Sequence, residues 1–558
     1  MRLARFAVAC LLASLCACTT TPPASISPPP ATAADPGLER ALDLARAAAR
    51  QPHSSRRADA WLGCTRDAEA AAGDQPPGTD AAPALRLLAH CSDGFLLDLF
   101  RQRADGWLPG VARVDGVPLR VQIVGASRMF RGALKVTPAA DVRLPTGWTY
   151  RQPGFGLPVV LRTDRCEDDP RCEVYPAEGI HQWATAWVDF GGGQTPTLHI
   201  VDPVTSPPIV VAGHVVSPAF DALSFYAVGA TRSRLPSQGV FGLFGGDAIE
   251  GRAGVYLLRD YDPRRTPVVM IHGLGSHPII WAELSGAIWA DPVLRDAYQV
   301  MHVVFQTNAP LLVSRRRVQQ SLDRMWSLLD PEGDDPARAK MVLVGHSLGG
   351  VVARMLAVDS GDTLWNAAFT VPPERLPGSP EDVEGIASTF LLRPYPGVCT
   401  VVMLAAPHKG SPRARSFTGR IAEALVGRRA PEIQALRRLA RANPESIQPE
   451  LVDSYAASRL NSIITLDAGH PVRRAGESLL PAPGIRYHTI AGKRPNHDGD
   501  GVVPLDSATL SGADSTLVVD AGHDLYKSPE VIDEVLRILR GGLGQPCANG
   551  AAAPKEAP

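Results

Sequence analysis

The chain has 558 residues, which is room for two or three domains. It is 45% hydrophobic and 20% charged, an ordinary globular composition. The net charge of −1 supplies no bulk attraction to polyanions, so no nucleic-acid partner is expected.

Residues 1–17 read as a targeting segment outside the folded body. Arg2 and Arg5 form a positive start, and Phe6 to Ala17 an apolar run too short to span a bilayer. The ending Leu15-Cys16-Ala17-Cys18 resembles a bacterial lipoprotein signal, which is cut before a cysteine that becomes lipidated. Leu15 and Ala17 fit that pattern, and Cys16 departs from it. The resemblance implies that Cys18 carries lipid and anchors the protein to a membrane. Thr19 and Thr20, with no Asp after the cysteine, imply sorting to the outer membrane of a Gram-negative bacterium. An ordinary signal peptide is the alternative. Residues 18–36 are Pro/Thr/Ser-rich and read as a tether. No later segment has the length and purity of a transmembrane helix.

Export bears on the nine cysteines. Cys10 and Cys16 leave with the signal and Cys18 takes lipid. Cys64, Cys91, Cys166, Cys172, Cys399 and Cys547 remain, an even set in an oxidising compartment. Sequential pairing is expected, Cys64 with Cys91, Cys166 with Cys172 and Cys399 with Cys547. Buried free thiols are the alternative.

Residues 37–105 are Ala/Leu/Arg-rich and predict a helical region without a clean repeat. Residues 106–250 switch to short β-rich runs punctuated by Gly and Pro, predicting a β-rich domain. That domain is expected to pack on the remainder or to cover part of its entrance.

Residues 251–545 carry the chemistry. In TPVVMIHGLGSHPIIW, residues 266–281, Val268 to Ile271 predict a strand that ends at His272-Gly273. The N–H of Leu274 would then face a site as one half of an oxyanion hole. In MVLVGHSLGG, residues 341–350, a buried strand runs into G-H-S-L-G-G and then into a helical pattern from Val351. Gly345 and Gly349 stand two residues from Ser347, where a Cβ would collide with a facing strand or helix. The serine is expected at the tip of a strained strand-to-helix turn, with the N–H of Leu348 as the second oxyanion donor.

Two insertions follow, residues 361–396 and 412–484. The second is mostly helical and predicts a cap over the site, with a side decoration as the alternative. An acid should come next in the chain. Asp498, Asp500 and Asp506 stand in PNHDGDGVVPLDSA, residues 495–508. Asp500 is preferred because the chain turns sharply after it; a solvated Asp-Gly turn or a calcium loop is the competing reading. The base is expected at His523, on a loop between a last strand at Leu517 to Val519 and a last helix begun by Ser528 and Pro529. His497 and His488 fall in the wrong order. His346 is expected to point away from the serine.

Five segments together resemble the α/β-hydrolase superfamily in its bacterial lipase and esterase branch: His272 to Gly275, Gly345 to Gly350, Ala405 to Ser411, Asp500 to Pro504, and His523. The resemblance covers about residues 250–545. It implies a mostly parallel, doubly wound sheet, here preceded by the helical and β-rich regions. It also implies a Ser347, Asp500, His523 triad working through an acyl-enzyme. The expected substrate is a carboxylic ester or lipid, hydrolysed with no metal or organic cofactor. An acyltransferase, a thioesterase or a phospholipase would use the same residues. A non-catalytic envelope binding or scaffold protein is the reading from another class. Protein partners are not legible, and residues 546–558 are expected to form a disordered tail.

Overall fold

The structure is a computed structural model that describes residues 36–74, 81–103, 105–114, 116–144, 150–233, 251–410, 431–457 and 460–547. The expected signal segment, Cys18 and its tether up to residue 35, the first part of the expected cap (412–430) and residues 548–558 lie outside the described residues. No helix among the described residues is long and apolar enough to cross a membrane.

Three helices open the described chain, Pro36–Arg50, Ser55–Gly73 and Ala82–Gln102. The second starts on Ser54, whose hydroxyl accepts the N–H of Arg57 and satisfies one orphan donor of the first turn. Cys64 and Cys91 join the second and third helices. A six-stranded mixed sheet follows: β1 (Gly110–Val114), β2 (Val117–Val124), β3 (Lys135–Pro138), β4 (Leu157–Thr163), β5 (Ile180–Asp189) and β6 (Thr197–Val201), in the order β1-β2-β6-β5-β4-β3. Only β2 and β6 pair in parallel.

The sequence suggests two separate regions here, but helices and sheet share one core. Leu87, Leu88 and Leu96 pack with Ala186, Leu198 and Ile200. Polar clamps reinforce this. Glu69 accepts the N–H groups of Phe190 and Gly191, and Ser92 Oγ accepts that of Val188. A single helical layer has only one stripe to bury, and β5 and β6 supply the surface that covers it.

The second sheet has seven strands: β7 (Gly254–Leu257), β8 (Thr266–Ile271), β9 (Tyr298–Val304), β10 (Met341–His346), β11 (Val398–Leu404), β12 (Arg486–Gly492) and β13 (Ser515–Val519). Their order is β7-β9-β8-β10-β11-β12-β13. The edge strand β7 is antiparallel to β9, and all other pairs are parallel. This is the expected mostly parallel sheet. Its central strands read as unbroken apolar runs because helices cover both faces. Every residue of β9, β10 and β11 is buried.

The two insertions pack on each other. The helix Pro380–Phe390 touches the helix Pro431–Ala442, Phe369 bridges to Ile447, and the N–H of Thr370 donates to Ser446. Gln448 of the second insertion ties it to the first by donating to the carbonyls of Asn366 and Phe369. Cys166 pairs with Cys172, and Cys399 on β11 with Cys547, so all three expected disulfides form. The last bond corrects the expected tail, since Cys547 is held to the sheet. Ser528 stands at the N-cap of the helix Pro529–Gly542 as expected, but its side chain makes no capping bond there.

The β-rich half joins the seven-stranded half through an aromatic cluster. Trp183 meets Phe225 and Trp289 edge-on, with centroids 5.0 and 6.0 Å away. Arg259 lies over the Trp183 ring at 3.9 Å and ion-pairs with Asp202 at 2.8 Å. Asp202 also accepts from Trp183 Nε1 and Gln182. Breaking a buried pair costs about 3–5 kcal/mol, because the remaining charge stays desolvated. The Arg259 side chain keeps 18% of its exposure, so the lower end applies. Asp202→Ala is therefore expected to lower the urea midpoint by an amount equivalent to about 3 kcal/mol. An unchanged midpoint would contradict the interface described here.

Candidate functional site

Three of the expected residues converge although the chain separates them widely. Ser347 follows β10 directly, Asp500 lies on the loop after β12, and His523 on the loop after β13. These loops leave the same edge of the parallel sheet, where open α/β sheets form their crevices.

Ser347 has φ 53° and ψ −122°, a conformation that costs of order 1–3 kcal/mol for a residue with a side chain. Packing imposes it. A Cβ on Gly345 would stand 2.3 Å from the Gly349 carbonyl oxygen, and one on Gly349 would stand 2.2 Å from that of Ile271. The turn can therefore be this tight only with glycine at both places. The helix Leu348–Met355 begins immediately after the serine.

His523 Nδ1 lies 2.8 Å from Asp500 Oδ2, and His523 Nε2 lies 3.0 Å from Ser347 Oγ. Asp500 is 2% exposed. Its other oxygen accepts the N–H groups of Val502 and Val503, both at 2.7 Å. Burial raises the carboxyl's pKa, but the bond and charge of His523 and the two amides outweigh it and hold the group below the usual carboxylate range. Asp500 therefore stays ionised. Its stabilising contacts are complete above the unfolded carboxyl pKa of about 3.9 and are lost as pH falls through the lower folded value. An ionised Asp500 accepts the hydrogen bond of Nδ1–H and so keeps the proton on that nitrogen, which leaves Nε2 as the acceptor for the serine hydroxyl.

The competing acids sit elsewhere. Asp498 is exposed, and Asp506 is exposed and faces Lys409 at 3.9 Å. His497 is exposed, and His488 bonds to Ser515 Oγ at 2.8 Å.

The two expected backbone donors flank the serine. The N–H of Leu348 belongs to the first helical turn, where no intrahelical acceptor exists. On the other side, a Cβ on Gly273 would come within 3.0 Å of Ser347 Cβ, so the chain of Leu274 passes beside the serine. The N–H of Gly275 donates to Thr307 Oγ1 at 3.1 Å, fixing that loop. Among the described residues the N–H of Leu274 has no acceptor. Leu274 packs against the main core of this half.

Two groups escaped the sequence reading. His346 does turn away from the serine, but it reaches the loop of His523. Its Nε2–H donates to the His523 carbonyl at 2.8 Å, and the two rings lie 4.9 Å apart. Burial, helped by the nearby His523, pushes the His346 pKa down to about 3, so it remains a neutral donor. Ser507 joins two further loops: its hydroxyl donates to the Gly410 carbonyl at 2.7 Å and accepts the N–H of Lys409. Neither role has a local signal, since both depend on loops brought together from distant strands.

No protein-family model matches the chain, and no curated protein matches it. Solved structures are similar to about half of it. The mature form of lipase BlEst2 from Bacillus licheniformis is 15% identical with a TM-score of 0.27, over 50% of this chain and 94% of that one. A hydrolase from Pseudomonas aeruginosa PA01 is 14% identical with a TM-score of 0.26, over 51% and 93%. The metagenomic carboxyl esterase MGS0156 is 16% identical with a TM-score of 0.26, over 51% and 78%.

The close approach behind the serine gives a direct test. Gly349→Ala drives a methyl group into the Ile271 and His272 carbonyls and should destabilise the protein by at least about 1–3 kcal/mol, read from urea unfolding. A neutral substitution would contradict the described turn.

Proposed function

We propose that the protein is a serine hydrolase that cleaves carboxylic esters. The observation that carries this reading is the continuous chain Asp500, His523, Ser347, with bonds of 2.8 and 3.0 Å ending on a hydroxyl held at positive φ. In the proposed cycle the imidazole of His523 takes the Ser347 proton as Oγ attacks the ester carbonyl. The carbonyl carbon becomes tetrahedral, and its oxygen, now an anion, is received by the N–H groups of Leu274 and Leu348. His523 returns the proton to the leaving alcohol, and the Ser347 acyl ester remains. Water then repeats the sequence, giving its proton to His523, and the free acid leaves. Asp500 holds the imidazole tautomer and offsets its charge while the proton resides there.

The roles separate by magnitude. An oxyanion donor of this type supplies about 2.7–4 kcal/mol of barrier lowering, and a triad aspartate replaced by asparagine costs about 10⁴ in kcat through the wrong tautomer. Hydrolysis of p-nitrophenyl esters from acetyl to palmitoyl tests the reading. Turnover should vanish in Ser347→Ala and fall by about 10⁴ in Asp500→Asn. A maximum at long chains would mark a lipase, and a maximum at short chains an esterase. Turnover that survives Ser347→Ala would overturn the assignment.

A further inference from the structure

Beside the helix that follows Ser347 lies a cavity with a polar end. Its walls include Leu312, Val351, Phe390 and Leu436, and it is also lined by Arg354, His408, His470 and Arg473. The apolar part accounts for most of the wall. The polar part is unusual because its groups are buried and unmatched. His408 is 1% exposed and Arg354 2%. Both ring nitrogens of His408, both of His470, and Nε of Arg354 are buried without a hydrogen-bond partner. Burial pushes His408 well below its ordinary pKa and His470 down to about 4, so both rings are neutral and each offers one N–H and one lone pair. An unpaired buried polar group costs about 1–3 kcal/mol, and native interiors rarely leave several together.

The charges are also unmatched. Arg473 pairs with Glu477 at 2.5 Å. Arg354 donates only to the carbonyls of Leu479 and Gly476, both at 3.2 Å, and no carboxylate lies within ion-pair distance of it among the described residues. Among the described residues Glu477 pairs with Arg473 and the charge of Asp467 acts on His470, which leaves Arg354 as the cavity cation without a carboxylate in ion-pair contact. Burial lowers the Arg354 pKa to about 10, which still leaves it charged at neutral pH. A buried cation of this kind is stabilised by an anion that also satisfies its free N–H.

We propose that this chamber binds an amphiphilic monocarboxylate, its acid group on Arg354 and His408 and its hydrocarbon along Leu312, Val351 and Leu436. A carboxylate supplies both the single negative charge and the acceptors that Arg354 Nε–H and the imidazole N–H lack. An alcohol supplies no charge, and a quaternary ammonium supplies the wrong one. The acid end is distinct from the ester-cleaving centre. Arg354 stands seven residues beyond Ser347, about 10 Å along the helix axis.

The test uses the full chain with Ser347→Ala, so that binding is measured without turnover, and calorimetric titration with octanoate, octanol and octyltrimethylammonium. Octanoate should bind at one site at least about tenfold more tightly than octanol, and the ammonium should not bind. Two variants locate the site. Arg354→Met should reduce octanoate affinity at least about tenfold and leave octanol unchanged. Arg354 also ties down two carbonyls, so His408→Phe is the second variant. It removes two unpaired buried nitrogens without loss of ring volume, so the fold should be kept or strengthened while octanoate affinity falls. Equal binding of octanoate and octanol, or unchanged octanoate affinity in His408→Phe, would overturn the proposal. Either result would leave the Ser347 reading untouched, because no turnover enters the measurement.

Discussion

The site depends on one steric constraint, the crossing of β8, β10 and the helix Leu348–Met355 around Ser347. With glycine at 345 and 349, backbone packs on backbone: a Cβ on the first would meet the Gly349 carbonyl, and a Cβ on the second those of Ile271 and His272. That contact leaves the serine no ordinary conformation, and it takes φ 53°. The strain of order 1–3 kcal/mol is small beside the burial of β10, whose six residues are all buried. The rigid sheet therefore holds the hydroxyl in a position that a free loop could not keep.

The remaining groups are arranged around that fixed point by the parallel order of the strands. β10, β12 and β13 run in the same direction, so their following loops leave from one edge. Asp500 and His523 lie on two of those loops. The loops are themselves fastened, Asp500 by two amides and the His523 backbone by His346. A neutral, buried histidine suits this task because it donates one hydrogen bond and brings no charge beside the His523 imidazole.

Much of this was legible in the sequence, for physical reasons that differ from element to element. Three central strands of the seven-stranded sheet are largely apolar runs, and MVLV, CTVVML and TPVVMI all became strands that are buried apart from Thr266. The Ser347 turn was legible because its glycines are a steric necessity at fixed spacing. Asp500 could be chosen over Asp498 only through the sharp turn after it, and burial separates the two. What the sequence hid is what depends on distant surfaces. The first three helices read as a region of their own, yet their apolar residues share one core with the six-stranded sheet, Leu157, Val159 and Leu161 of β4 and Ala186 of β5 among them. His346 reads as a bystander of the serine because its partner lies 177 residues away. Arg354 and His408 read as one helix residue and one loop residue, and only the packed insertions reveal that they face the same cavity.

The central claim is that Ser347 is an activated nucleophile, and covalent trapping tests it without any assumption about the natural ester. Intact-mass analysis after treatment with a fluorophosphonate, followed by peptide mapping, reads the outcome directly. The account predicts a single adduct on Ser347 in the unmodified protein, formed far more slowly in His523→Ala. No adduct, or an adduct on another residue, would contradict it.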